Sequence, residues 1–248
     1  MLQIIPIPDL PIFQPNDDIA QIISEKYADN LKNNDILVIA HTIVSRVENC
    51  EIEYEKVQPS MFAVNFANSA EKDPRIVEIV LQEAKSIVRM SESLLITETH
   101  HGFICANSGV DRSNARPGHV LTLPKDPDKS ARKIKKRFEE INGLNNINII
   151  ISDTFGRPFR IGTTNIAIGI AGLDPYVDCS FKRDLFGYKL QHSIVAVADE
   201  LACTAGLIMG QSNEGIPVVI IRGFTNYTSS SQSSATRLNR KREDALFW

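Results

Sequence analysis

Asp153, Thr154, Arg157 and Arg160 sit together in the stretch Ile-Ser-Asp-Thr-Phe-Gly-Arg-Pro-Phe-Arg, residues 151–160. A carboxylate, a hydroxyl and two guanidinium groups at this spacing suit a divalent cation and phosphate oxygens. Hard cations take carboxylate and hydroxyl oxygens, and planar guanidinium forks bind phosphate. The apolar run from Ile147 to Ile151 reads as a buried strand, which puts Asp153 just past a strand end, where α/β proteins hold ligands. Gly156 then breaks the chain and Pro158 stiffens it. The same residues also fit a plain strand end with surface charges. A second polar stretch, Ala106 to Asn114, carries Gly109, Asp111 and Asn114. Asp111 is a candidate partner for Asp153; an Asx-rich turn is the other reading.

Two further stretches offer groups for an anion. His41-Thr42 and Ser45-Arg46 follow the apolar run Ile36 to Ala40, either aimed at a ligand or forming a solvated strand-to-loop junction. Gly210 to Gly215 is a glycine-flanked polar loop ahead of the apolar run Ile216 to Ile221, and such a loop can turn backbone N–H groups toward phosphates. No GxxxxGK[ST] occurs and no GxGxxG opens a helix, so neither a P-loop nor a Rossmann site is expected. The adjacent His100 and His101 read as a turn, because neighbours in strand geometry point to opposite faces and chelate poorly.

Composition narrows the class. The 248 residues are 43% hydrophobic and 23% charged, enough for a real core. A net charge of -3 argues against affinity for nucleic acid, and means that a polyanion would need local cations. The four cysteines, Cys50, Cys105, Cys179 and Cys203, contain no CxxC pair, so free thiols in a reducing cytoplasm are expected. The apolar start carries early prolines and no basic segment, a poor signal peptide. No run approaches the roughly 20 apolar residues of a membrane helix.

The elements that must position these groups follow from periodicity. Residues 2–7 read as a strand, and Asp17-Asp18 open a helix with Ile19, Ile22, Ile23 and Tyr27 on one face. Asp73-Pro74 starts a helix whose apolar spacing runs through Ile76, Ile79, Val80, Ala84, Ile87 and Val88. Strands are expected at 94–97, 103–106 and 120–123. Ser130 can cap a helix with Ala131, Ile134, Phe138 and Ile141 buried, its basic residues 132–137 forming a solvated face. Thr163 to Leu173 is small and apolar, and 194–209 is a helical pattern rich in small residues. From Tyr227 to Ser234 the chain is Ser-rich, and the tail to Trp248 is basic, then acidic, then aromatic.

Taken together, ISDTFGRPFRIGTTNIAIGIAGL, HGFICANSGVDRSN, DLFGYKL with VADELA, MGQSNEGIPVVIIRG and the opening IPIPDLP with ILVIAHTIVSR resemble the coenzyme F420-0:gamma-glutamyl ligase family. The resemblance spans nearly all of residues 1–224, leaving 225–248 as a Ser-rich segment and tail. It implies a mixed α+β fold in two lobes and an intertwined homodimer. It implies a cytoplasmic, GTP-dependent ligase with two divalent ions, Mg or Mn, and potassium. Such an enzyme adds L-glutamate to the lactyl carboxylate of F420-0 through an acyl phosphate, then a further gamma-linked glutamate. By matching position, Asp111 and Asp153 resemble ligands of one metal, and Thr154 a ligand of the second. Pro8, Asp9, Leu10, Pro11, His41, Thr42, Arg46, Asn114 and the loop Met209, Gly210, Gln211, Ser212, Asn213, Glu214, Gly215, Ile216 fall where the family holds GTP. Arg46 stands where Lys is more common, and Gln211 where a relative has a metal-binding Glu; Asp9 and Glu214 are nearby acids. Arg157 and Arg160 are assigned from spacing alone, to the gamma-phosphate or the phosphorylated lactyl linker. A non-catalytic nucleotide- or deazaflavin-binding relative, and a ligase for another amino acid or carboxylate, are the alternative readings.

Overall fold

β-branched apolar runs set the centre of the fold, as seen in a computed structural model that describes residues 1–225, 227, 229–230 and 233–246. In chain order the strands are β1 (Gln3–Pro6), β2 (Ile36–Ala40), β3 (Glu51–Glu53), β4 (Ala84–Met90), β5 (Leu95–Thr99), β6 (Ile104–Ala106), β7 (His119–Leu121), β8 (Asn148–Arg157), β9 (Arg160–Leu173), β10 (Val177–Asp178), β11 (Ile194–Val195), β12 (Val218–Arg222) and β13 (Ser229–Ser230). The α-helices are α1 (Ile19–Tyr27), α2 (His41–Val47), α3 (Met61–Ala70), α4 (Pro74–Glu83), α5 (Pro127–Asn142) and α6 (Val197–Met209). The fold is mixed α and β.

A six-stranded sheet of order β1-β12-β2-β8-β9-β13 forms the middle layer, with β2 and β8 parallel and its other pairs antiparallel. The centre of β2 is buried on both faces, which is why it reads as a continuous apolar run rather than an alternating one. Leu37, Ile39, Ile149 and Ile151 pack with Ile23 of α1 and Phe138 of α5, whereas Ile36, Val38 and Ile150 pack with Leu201 and Ala205 of α6. Helices on both faces thus bury the sheet. A third cluster, around Phe66, Val77, Val80 and Leu95, joins α3 and α4 to the three-stranded sheet β4-β5-β6.

Helix starts follow capping chemistry. Asp18 accepts from the Gln21 N–H, Asp73 from that of Arg75 with Pro74 beginning α4, and Asp126 from that of Lys129 with Pro127 beginning α5. Asp126, not Ser130, is therefore the α5 cap; the Ser130 hydroxyl lies inside the helix and donates to Glu48 at 2.6 Å. The helix from Asp73 does not continue to Val88. It ends at Glu83, and 84–90 pair with β5 as a strand, with Ile87 exposed. A β-branched segment with a strand partner leaves the helix despite its helical spacing. Likewise 194–195 belong to a short strand pair, and α6 begins at Val197.

Asp153 is not past the end of its strand. β2 stops pairing with β8 at Ala40 and Ser152, but β8 continues against β9 as far as Arg157 and Arg160. Gly156 lies within the strand, and the chain turns at 158–159, with Phe159 at a φ of 63°. From Asp153 onward the β8–β9 hairpin is therefore an arm beyond its parallel neighbour, and its tip exposes Phe159 and Ile161.

Gly169 of β9 is where α5 sits down on the sheet. A Cβ there would lie 2.4 Å from the Pro127 carbonyl oxygen and 2.5 Å from its carbon. Backbone cannot yield as a flexible side chain does, so Gly169→Ala is expected to destabilise the fold by about 1–3 kcal/mol, read from denaturant unfolding.

Candidate functional site

A cavity of about 510 Å³ opens where β2 ends, α2 begins and α6 gives way to its loop. Its walls come from distant parts of the chain: Leu10 to Phe13, Ala40 to Ile43 with Arg46, Ala106 with Gly109 to Asp111, Ser113 and Asn114, Ser152 to Thr154, Asn165, and Met209 to Pro217 without Asn213. The parallel pairing of β2 and β8 sets Ala40 beside Ser152, and so brings His41 next to Asp153. Asp111 arrives through a bridge to Leu121: its N–H donates to the Leu121 carbonyl at 2.9 Å, and its carbonyl accepts from the Leu121 N–H at 2.8 Å.

The Asp153 carboxylate is asymmetrically held. Its Oδ1 takes the Thr154 N–H at 2.6 Å and lies 3.2 Å from the His41 Nε2. Its Oδ2 accepts no hydrogen bond from the described residues. Burial opposes charge on the His41 ring, but the Asp153 carboxylate, by its charge and hydrogen bond, and more weakly Asp111, hold the imidazole pKa above its ordinary value. Asp111 itself accepts from Ser113, N–H to Oδ1 at 2.7 Å and hydroxyl to Oδ2. Arg46 donates through Nη2 to the Asn114 carbonyl, while its buried Nε has no partner among the described residues.

Opposite Asp153, neutral oxygens complete the floor. The Thr154 hydroxyl donates to Gln211 Oε1 at 3.2 Å, and Gln211 Nε2 to Asn165 Oδ1 at 3.4 Å. Asn165 is paired with Thr154 across the hairpin, and Gly206 of α6 makes room for it: a Cβ there would lie 2.4 Å from Asn165 Oδ1. The loop after α6 folds over its own acid. Glu214 Oε2 accepts from the Ser212 N–H at 2.8 Å, and backbone hydrogen bonds, that of Ser212 first, hold its carboxyl below the usual range. The loop's N–H groups can thus hold an anionic oxygen, here one of the chain's own.

Of the residues singled out from sequence, Leu10, Pro11, His41, Thr42, Arg46, Asp111, Asn114, Asp153, Thr154, Met209, Gly210, Gln211, Ser212, Glu214, Gly215 and Ile216 line this cavity. Pro8, Asp9, Asn213, Arg157 and Arg160 are not in its lining. Asp9 is turned toward α1, where its carbonyl accepts from Lys26. Arg157 donates to the Ile161 carbonyl on the arm at 2.9 Å, and Arg160 is exposed nearby. His100 and His101 are spent on backbone carbonyls, of Gln82 and of Pro124 and Lys125 respectively. Asn165 and Ser113 escaped the sequence reading. Period-two counting from Thr154 across a hairpin would have found Asn165, had the turn been placed.

Among the described residues no three His, Cys, Asp or Glu side chains group to hold a metal. The side-chain oxygens of the lining residues are carboxylates, hydroxyls and amides, with no thiolate. That set fits a hard divalent cation that keeps water or phosphate oxygens among its ligands, and does not fit a zinc site. Close by, burial first and the Asp153 charge second push the Cys105 thiol up to about 12. Folded protein at pH 8 should therefore alkylate at Cys105 at least tenfold more slowly than denatured chain, as peptide mass mapping would show.

Comparison with known proteins gives a consistent result. Residues 8–223 match the family model described as F420-0:Gamma-glutamyl ligase. A Methanopyrus kandleri protein named coenzyme F420:L-glutamate ligase is 47% identical over 90% of this chain and 87% of its own length. Relatives of the same name from Methanothermobacter thermautotrophicus and Archaeoglobus fulgidus are 43% and 35% identical, covering 99% and 90% of this chain and 98% and 88% of their own.

Proposed function

The chain belongs to the F420-0:gamma-glutamyl ligase family and is a ligase, and from that premise we propose that it couples GTP hydrolysis to glutamylation of F420-0. The observation that carries this reading is the meeting of Asp111, Asp153, Thr154, Arg46 and the loop after α6 around one cavity. About 510 Å³ is a fitting volume for the phosphate-bearing part of a nucleotide. The lactyl carboxylate of F420-0 attacks the gamma-phosphorus, GDP leaves, and an acyl phosphate forms. The amine of L-glutamate then attacks the acyl carbon; phosphate departs, the amine loses a proton, and the amide is made. A second round through the gamma-carboxylate of the first glutamate adds the next.

Phosphoryl transfer asks the protein for position and positive charge rather than covalent chemistry. A bound divalent ion, Mg or Mn, would supply that charge. Asp111 and Asp153 would hold the ions with Thr154, and Gln211 would either ligate or orient the Thr154 hydroxyl, which it accepts from at 3.2 Å. Arg46 offers its unpartnered Nε and remaining N–H groups to phosphate oxygens. Arg157 and Arg160, on the arm, would be available to the phosphate-bearing linker of the acceptor or to the gamma-phosphate. Potassium adds to the same charge balance. We read the exposed Phe159, Ile161, Leu185, Phe186 and Leu207 as surface covered by a second copy. Sedimentation at micromolar concentration should give a dimer.

The assay is direct. Incubation with F420-0, GTP, Mn and L-glutamate should give a deazaflavin product heavier by glutamyl increments in mass spectrometry, with GDP and phosphate released. No mass gain, or a gain that does not require GTP, would refute the reading.

A further inference from the structure

His41 opens α2 yet points away from solvent, with 4% of its surface exposed. Its two ring nitrogens are both engaged. Nε2 lies 3.2 Å from Asp153 Oδ1, and Nδ1 lies 3.4 Å from the hydroxyl of Ser45, one turn on and wholly buried. In the neutral Nε2–H tautomer, with the Ser45 hydroxyl donating to Nδ1, and equally in the imidazolium, with Nδ1 donating to Ser45, Nε2 carries a hydrogen and gives it to Asp153. The Thr154 N–H reaches the same oxygen at 2.6 Å. Oδ1 is thereby saturated from within the protein, and Oδ2 is the oxygen left for the cavity.

We propose that His41 is a positioning residue, which with Ser45 behind it fixes the Asp153 carboxylate so that Oδ2 alone is presented to a divalent cation. The imidazole is committed to the carboxylate, so on this assignment it is not a nucleotide ligand. The physical reason is general. A ligating group held by a hydrogen bond from behind loses less freedom on binding and keeps one orientation, and removing such support typically weakens metal affinity by about 10–100-fold. Within α2, His41 and Ser45 lie one helical turn apart on one face.

The inference rests on Asp153 being a cation ligand, and the test separates the two. Mn²⁺ alone is titrated into the full-length protein without nucleotide, and free Mn²⁺ is read by electron paramagnetic resonance. Asp153→Ala should lose the site; unchanged binding in that variant would overturn the ligand reading itself. Given that loss, His41→Leu should weaken Mn²⁺ binding about 10–100-fold, and His41→Gln, which keeps an N–H donor of similar reach, should recover most of it. Wild-type affinity in His41→Leu would overturn the positioning role. Should His41→Leu fail to fold, His41→Asn replaces it, since its shorter amide cannot reach Asp153; affinity equal to that of His41→Gln would then overturn the proposal. Turnover gives an independent readout. The KM for Mn²⁺ should rise in the donor-less variant while the KM for GTP at saturating Mn²⁺ stays within about threefold. A shift confined to GTP would make His41 a nucleotide contact and overturn the assignment.

Discussion

Asp153→Asn should fold as the wild type does and turn over at no more than about a thousandth of its rate. The substitution is nearly isosteric, and the Asn carbonyl can still accept from His41 and from the Thr154 N–H, the partners of Oδ1. What changes is the group at Oδ2, from a carboxylate oxygen to an NH₂ that turns hydrogens toward the proposed cation site. In the proposed chemistry several kcal/mol of charge stabilisation in the transition state depend on that cation, and about 4 kcal/mol is roughly a thousandfold in rate. The side chain is a part-buried member of a polar cavity rather than of the core, so the melting temperature should move by only a few degrees. Rate and melting curve, measured on the same preparation, test both halves. A variant with near wild-type turnover would remove the cation from the proposed chemistry, and one that unfolds would make Asp153 structural.

Much of the site was legible in the sequence because its residues follow strand ends and glycine loops, where local patterns are strong. The apolar runs before His41 and Asp153 announced two buried strands. What the runs could not say is that these strands are parallel neighbours in register at Ala40 and Ser152, the pairing that sets His41 against Asp153. Register is a tertiary fact with no local signature. The same limit hid Asn165, whose place opposite Thr154 depends on a turn at 158–159 that the Gly156-Arg157-Pro158 pattern placed too early. The reading of Arg157 and Arg160 as neighbours of Asp153 used distance along the chain. A strand rises more than 3 Å per residue, so a few residues carried them out onto the arm, beyond the cavity lining.

Helix boundaries show a related limit. Asp73-Pro74 marked the start of α4 correctly because capping is local. The end has no local mark, because Ala84, Ile87 and Val88 keep helical spacing while their strand partner, β5, lies further along the chain. The charged face of α5 gave no such trouble: Arg132, Lys133, Lys136 and Arg137 are exposed while Ile134 and Phe138 are buried, as amphipathic spacing requires. For the tail, the aromatic end at Phe247 and Trp248 lies outside the described residues. The residues before it expose a feature that composition could not suggest, a buried carboxylate that anchors them.

That carboxylate is Asp128, and Asp128→Ala should cost about 3 kcal/mol while leaving the chemistry of the folded enzyme intact. Asp128 lies in the first turn of α5 and is 8% exposed. Its Oδ1 accepts from the Ile170 N–H of β9 at 2.9 Å and the Ala235 N–H at 3.0 Å, and its Oδ2 from the Ser234 hydroxyl at 2.7 Å. One side chain thus ties the helix, the sheet and the segment after β13 together. Truncation leaves two buried backbone donors without acceptors, each costing about 1–3 kcal/mol, partly relieved by water where the tail loosens. For a chain of this size that corresponds to a fall of roughly 6–12 °C in melting temperature if unfolding is two-state. Asp128→Asn keeps an acceptor for both N–H groups and loses only the bond from Ser234, so its loss should be near 1 kcal/mol. The order wild type, Asn, Ala is the signature of acceptor loss; equal losses in both variants would point to charge instead. Proteolysis should cut Asp128→Ala first between residues 225 and 246. Turnover at 20 °C, well below the transition, should stay within about threefold of wild type, because none of the cavity walls contains Asp128. Read beside Asp153→Asn, which removes activity and spares stability, this variant tests whether the cavity and the scaffold that carries it are separable.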